Sequence, residues 1–383
     1  MRTKVVYLFD QLLFSAFSFV LFLVVDKQFD LADVAQYSVM VSGCAFLLNF
    51  GFALMVERRL GGEDKRLTFY DFIVLITLVG VMDALISSVL WHDYKHSVLL
   101  GLTMFASSML WLSRRITLLD EGLIKFSVML TVLSGAGSVC AAYVVQRFSW
   151  FLVTYSLICA VAVTILVALS IRSAGKGVRH SFGVLLAEPG HLLKSVMLVP
   201  LLWFPSNGIY LVLTYLGSTH VLVEMRKLLM LLSPVQQLSS AMINYIFSRN
   251  RNYASSRFEY LVLPLSIAVL ATPVCAVIYK VLLDGPVVGL DLWFAFALIV
   301  GCMLAISIMQ SVLRVGGKQS AVIVSFSIAV IVKLMCLVLF YYFGGGISLT
   351  AGFISMAVAY SASAVSLGFF FAPWHNKSER VEL

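Results

Sequence analysis

The sequence predicts an all-α polytopic membrane protein with about twelve transmembrane helices in two six-helix lobes. Three observations carry that prediction. The 383 residues are 61% hydrophobic and 12% charged, more apolar surface than a soluble domain of this size can cover with polar groups. The apolar runs are about 20 residues long, as a hydrocarbon core requires, and they do not alternate in polarity as barrel strands do. The basic residues also fall mostly in every second connection, so the runs cross something with two unlike sides.

Read in order, the spans lie near 5–25, 35–55, 72–91, 97–113, 126–145, 150–171, 196–217, 220–247, 259–282, 292–313, 321–343 and 349–371. The first run follows Arg2 and Lys4 and could resemble a signal peptide. It is too long and has no small-residue cleavage site, so it is expected to be retained. The longest connection, 172–195, carries Gly175, Gly177 and Pro189-Gly190. It divides the chain into an N-terminal lobe (1–171), a cytoplasmic linker (172–195), a C-terminal lobe (196–371) and a cytoplasmic tail (372–383). Within the linker, Phe182, Val184, Leu185 and Leu186 fit either an interfacial helix or a plain loop. Two six-helix halves fit an internal duplication, although direct self-similarity is weak. All eight prolines fall at or after Pro189. Pro200 and Pro205 are expected to bend the seventh span, Pro234 the eighth, and Pro264 and Pro273 the ninth.

The net charge of +8 is an orientation signal rather than a nucleic-acid footprint. Twenty of the 27 Lys and Arg lie in the segments 2–4, 58–66, 114–125, 172–194, 249–257, 314–318 and 377–380. Those segments are therefore cytoplasmic, and both termini with them. Nucleic acid is excluded as a partner; membrane lipids, with a secondary affinity for anionic headgroups, are expected.

Polar residues at helical period mark faces that lipid would penalise. The first span carries Gln11, Ser15 and Ser18 on one face, and the fifth Ser127, Thr131, Ser134 and Ser138. On the seventh, Asn207, Tyr210 and Thr214 share a face with Trp203. The eighth runs Arg226, Ser233, Gln237, Ser240 and Asn244. Small hydroxyls commonly join helices, and that reading covers the fifth span. The eighth opens with charge. Glu224 and Lys227 are spaced to pair, which leaves Arg226 without a local partner. Lys333 and Asp83, near the middles of the eleventh and third spans, and Asp10, inside the first, each need a counter-ion or a wet surround.

The sequence also lacks the usual signs of enzymes. It has no Gly-rich phosphate loop, no HExxH, and no outer connection long enough to shape a sugar-transfer site. His92 and His96 are a weak metal pair, and the six cysteines fall within spans at no ligand-like spacing. No metal and no cofactor are expected.

The stretch FDQLLFSAFSFVLFLVVDKQFDLADVAQYSVMVSGCAFLLNFGFALMVERR resembles the first helix pair of polysaccharide-repeat-unit (O-antigen type) flippases. These belong to the multidrug/oligosaccharidyl-lipid/polysaccharide (MOP) exporter superfamily. WFPSNGIYLVLTYLGSTHVLVEMRKLLMLLSPVQQLSSAMINYIFSR resembles that family's seventh and eighth helices, with Asn207, Arg226 and Pro234 at the matching places. At one point the chain departs from the pattern: Gly208 and Ile209 stand where members often carry an acidic-basic pair. The resemblance implies a MATE-like fold in a bacterial cytoplasmic (inner) membrane. It implies a flippase that carries a polyprenyl-pyrophosphate-linked oligosaccharide outward by alternating access, for surface polysaccharide biosynthesis, beside other polysaccharide-biosynthesis proteins. The expected substrate contacts are Arg226, Lys227, Glu224, Gln237, Ser240, Asn244, Asn207, Tyr210, Gln11 and Lys333. A cation-coupled multidrug antiporter of the same superfamily would instead use Asp10 and Asp83 for coupling. A non-transporting membrane subunit of a synthesis complex remains the reading from another class.

Overall fold

The computed structural model describes residues 2–51, 53–54, 69–91, 96–117, 123–174, 189–216, 218–235, 262–315 and 317–381. The described residues form helices throughout, in this order: α1 Arg2–Gln28, α2 Leu31–Gly51, α3 Phe69–Leu90, α4 Ser97–Thr117, α5 Ile124–Val144, α6 Phe148–Ala174, α7 Pro189–Tyr215, α8 Thr219–Leu231, α9 Leu263–Val281, α10 Leu290–Val315, α11 Gln319–Gly344 and α12 Leu349–Val381. All except α8 are long and apolar enough to cross a membrane. The eighth expected span is seen only in part: α8 ends at Leu231, and the remainder from Gln236 lies outside the described residues.

Two helices outrun their expected spans by more than any other. α7 begins at Pro189, where a proline at the first helical position costs no hydrogen bond. α12 continues to Val381, through the segment read as a tail. Hydropathy marks where lipid ends, whereas Lys, Glu and Arg continue a helix readily. The prolines act as their places dictate. Pro200 and Pro205 lie inside α7 and Pro273 inside α9. Pro264 instead occupies the first turn of α9, where no bond is lost. Gly345, in the left-handed region at φ 69°, closes α11. The short apolar stretch at 182–186 lies outside the described residues.

The chain divides into two compact units, Met1–Val199 and Pro200–Leu383. In the first, α4 packs on α6 and α2, α1 on α5, and α3 on α4 and α2. In the second, α10 packs on α12 and α9, α12 on α11, and α8 on α9 and α12. Counting from the first helix of each run of six, several pairings recur: third with fourth, fourth with fifth and sixth, fifth with sixth, and second with third. The two runs thus share part of their packing order, while the extensive α1–α5 and α2–α4 packing of the first has no equally extensive counterpart in the second. Close approach in the first unit relies on small residues. A Cβ on Gly51 would collide with Leu112 of α4, and one on Gly43 with Met104. The surface is what lipid requires: Val81, Leu85, Val161, Leu270, Val277, Met335 and Phe369 are among many exposed apolar side chains.

Candidate functional site

The polar residues singled out in the sequence divide between the units. Asp10, Gln11 and Asp83 lie in the first, on α1 and α3. Asn207, Tyr210, Glu224, Arg226, Lys227 and Lys333 lie in the second, on α7, α8 and α11. Gln237, Ser240 and Asn244 lie outside the described residues.

In the first unit, Asp10 is wholly buried. Its Oδ2 accepts a hydrogen bond from Arg114 at 2.5 Å, and its Oδ1 lies 2.7 Å from the Thr131 hydroxyl. Arg114 Nε donates to that same hydroxyl at 2.7 Å, which closes a ring of three side chains from α1, α4 and α5. The guanidinium also lies 4.1 Å over the Phe14 ring, itself edge-on to Trp111. Reading Arg114 as a cytoplasmic loop residue was therefore a misplacement: its side chain is 3% exposed. Two adjacent arginines at a helix end point about 100° apart, so Arg114 turns inward where Arg115 does not. The matched depth of Asp10 and Arg114 was the signal that could have found the pair. Ser134 and Ser138 of α5 turn to their own backbone, Ser134 to Leu130 O at 2.6 Å and Ser138 to Ser134 O at 2.7 Å, whereas the buried Ser127 hydroxyl has no hydrogen-bond partner. Gln11 is also buried, at 3% exposure.

Asp83 has no such ring. It is 8% exposed, and its Oδ1 is buried with no hydrogen-bond partner.

In the second unit, Glu224 and Lys227 pair across one helical turn at 3.0 Å, as their spacing requires. The second oxygen of Glu224 accepts a 2.8 Å hydrogen bond from the Tyr279 hydroxyl of α9. Sequence reasoning missed Tyr279, which lies near the end of an otherwise apolar helix. It is held edge-on by Trp293, which in turn packs on Phe296. Arg226 is 9% exposed, with its Nε buried and unpaired. Beside it lies the buried hydroxyl of Tyr210, on α7, within reach of the guanidinium. Through its Nε the guanidinium keeps hydrogen-bonding capacity to spare. Asn207 donates to Ser206 Oγ at 2.8 Å, and Thr214 to Tyr210 O at 2.7 Å.

Lys333 is fully buried and has no carboxylate beside it among the described residues. Its ammonium donates instead to two α7 carbonyls, Pro205 O at 2.7 Å and Phe204 O at 3.2 Å. A carbonyl with two lone pairs can accept from both its helix and the lysine. The ammonium lies 5.6 Å from the centre of the Phe204 ring, and that ring lies back over Gly208. The glycine that breaks the family pattern therefore has a local reason: any Cβ there would strike Phe204.

The described residues offer no cluster of three or more His, Cys, Asp or Glu that could hold a metal. What the second unit does offer is positive charge in an apolar setting. With Glu224 answering Lys227, the buried cations left over on α7, α8 and α11 are those of Arg226 and Lys333.

The architecture has known counterparts. The chain is similar in structure to the eukaryotic MATE transporter AtDTX14, at a TM-score of 0.70 and 16% identity, covering 99% of this chain and 98% of that one. It is also similar to an inward-facing multidrug resistance MATE family transporter of the MOP superfamily, at 0.63 and 12%, covering 99% and 100%. A third is a point mutant of the Vibrio cholerae MATE transporter VcmN, at 0.61 and 15%, covering 99% and 96%. At these identities the likeness is one of fold: the chain has the MATE-like, all-α architecture. No family model matches the sequence, and no curated protein matches it.

Proposed function

We propose that the chain is a membrane transporter, and specifically a flippase for an oligosaccharide joined through pyrophosphate to a polyprenol. The observation that carries this reading is Arg226. It is a buried guanidinium with an unpaired Nε, next to a buried tyrosine hydroxyl, in a helix whose other charges cancel. An anion rich in oxygens, such as a pyrophosphate, is what such a planar guanidinium would hold, through charge-assisted hydrogen bonds. Lys333 adds a second uncompensated cation in the same unit. A lipid tail can stay in the bilayer while the charged linkage and sugars cross. A membrane potential negative inside favours outward movement of an anion by about 2 kcal/mol per charge per 100 mV.

A second reading comes from the fold neighbours, two of which are described as multidrug resistance transporters. A drug antiporter that loads a cationic guest is disfavoured by a buried arginine with a free donor.

The test is Arg226→Gln against Arg226→Lys in a polysaccharide-producing bacterium that expresses the chain. Losing a charge-assisted contact of about 1.5–3 kcal/mol corresponds to roughly ten- to hundredfold weaker binding. The expected outcome is loss of surface polysaccharide and accumulation of the lipid-linked precursor, with protein abundance unchanged and partial rescue by lysine. Unchanged polysaccharide with altered drug tolerance would support the antiporter. Unchanged levels of both would leave a non-transporting subunit.

A further inference from the structure

The connection between α9 and α10 is short and almost wholly apolar. Residues 281–294 read VLLDGPVVGLDLWF, with Asp284 and Asp291 as the charged members. A connection that faces water is normally rich in polar and turn-forming side chains. Here the side chains thrown outward are apolar. Val287 and Leu290 are each 88% exposed, and no large apolar side chain among the described residues is more so. Pro286 and Phe294 are exposed beside them. At the other end of α10, the turn to α11 exposes Gly317 and Lys318 instead.

The turn has a fixed base. Asp284 takes a left-handed backbone at φ 48°, which aspartate tolerates. The chain then folds back, and Gly285 N donates to Tyr279 O at 3.0 Å. The Tyr279 ring fills the space where a Cβ on Gly285 would stand. Tyr279 is in turn braced edge-on by Trp293 at 5.8 Å, and its hydroxyl donates to Glu224 Oε2. The apolar tip, residues 286–290, is presented from that base.

Helix length sets the depth of the tip. The span Leu290–Arg314 has 25 residues, about 37 Å of helix. The hydrocarbon core is about 30 Å thick, and a tilt of about 20° takes up only about 2 Å of the excess. With Arg314 at one boundary, Leu290 lies about 5 Å past the other, at headgroup level. The aromatic residues agree. Tyr279 and Trp293 flank the turn, and Tyr341 and Tyr342 end α11 on the same side of the membrane. Trp and Tyr collect at that level because each ring has an apolar body and a polar tip. The turn also continues an apolar surface, since Leu270, Val274, Val277 and Val281 are exposed along one face of α9. Lys280, Asp284 and Asp291 are exposed around the tip and offer both signs of charge, which suits a zwitterionic headgroup.

We propose that residues 286–290 are an interfacial anchor. Pro286, Val287 and Leu290 insert among the headgroups and first acyl carbons of one leaflet, and their partner is zwitterionic lipid. The anchor lies wholly in the second unit and does not depend on what the chain transports. It also reaches the charged pair of α8. The tyrosine that carries the turn holds the Glu224 carboxylate as well, so one side chain ties the leaflet to that pair.

The test uses the full chain in phosphatidylcholine vesicles and two photoactivatable phosphatidylcholines. One carries a diazirine near the glycerol, the other at the chain end, and peptide mass spectrometry locates the adducts. The glycerol-end probe should mark 286–290. The chain-end probe should mark Leu270 and Val274, near the middle of α9. The ratio of the two probes should therefore invert between the sites. Val287→Asp combined with Leu290→Asp should abolish the adducts at the turn and keep those at Leu270, which also report that the variant is folded. The wild-type chain gives the depth reading even if the variant fails to fold. Oxidation of 286–290 by hydroxyl radicals in water, without lipid adducts, would overturn the proposal. So would labelling by the chain-end probe alone, or turn adducts that persist in the folded variant. Protection from lipid probes and radicals alike would overturn it in favour of a protein cover, such as a second copy of the chain.

Discussion

The first and fifth helices of each run of six are joined by a buried charge, and the two joints differ in kind. Between α1 and α5, the carboxylate of Asp10 meets the Thr131 hydroxyl and the Arg114 guanidinium, so the charges cancel where they lie. Between α7 and α11, the ammonium of Lys333 meets carbonyls, and among the described residues no carboxylate cancels its charge. A closed ring of opposite charges locks helices together and has nothing left to offer a guest. A cation on carbonyl dipoles is stable enough to be built and remains able to attract an anion. The same contrast holds between Asp10 and Arg226, which is a second reason to look for ligand chemistry in the second unit and for rigidity in the first.

Breaking the closed joint should have the largest effect. Removing one partner of a buried pair strands the other, at a cost of about 3–5 kcal/mol. Asp10→Ala and Arg114→Ala should each lower the unfolding free energy of purified protein in micelles by that much. The double variant should cost clearly less than the sum, since the two are one interaction. Additive losses would show that the ring is not a unit.

The seam around that ring can be probed without touching charge. A Cβ on Gly135 of α5 would stand 2.9 Å from Phe17 Cβ and closer still to its ring. The root of that side chain has little freedom to swing aside, so Gly135→Ala should cost about 1–3 kcal/mol by the same measurement. In the second unit, Tyr279→Phe deletes one hydrogen bond to Glu224 and should cost about 1 kcal/mol. Transport should hardly change if Tyr279 only positions Glu224. It should fall if Glu224, once loosened, turns toward Arg226.

The fold was largely legible in the sequence because bilayer thickness fixes the length of an apolar run. Intrahelical pairing was legible too, as Glu224 and Lys227 show, because three residues of spacing is a local fact. Contacts between helices were not. Asp10 and Arg114 are 104 positions apart, and Lys333 and Pro205 are 128. Nothing in either neighbourhood names the partner, and a carbonyl partner leaves no trace in side-chain identity. Arg114 was also disguised by Arg115, since a pair of arginines at a helix end reads as an anchor.

The smallest expected effect on stability belongs to Lys333→Met, and it is the sharpest test of the comparison. Methionine has a similar reach without the charge. The substitution gives up two hydrogen bonds to carbonyls that keep their helix partners, and it also removes the cost of burying an uncompensated ammonium. The two contributions oppose each other, so the unfolding free energy should stay within about 1 kcal/mol of wild type. Under the proposed function, surface polysaccharide should nevertheless fall. If Lys333→Met instead unfolds the protein as Asp10→Ala does, the ammonium is a lock like its counterpart in the first unit. The second unit would then hold one cation for a guest rather than two, and Arg226 would have to carry the anion alone.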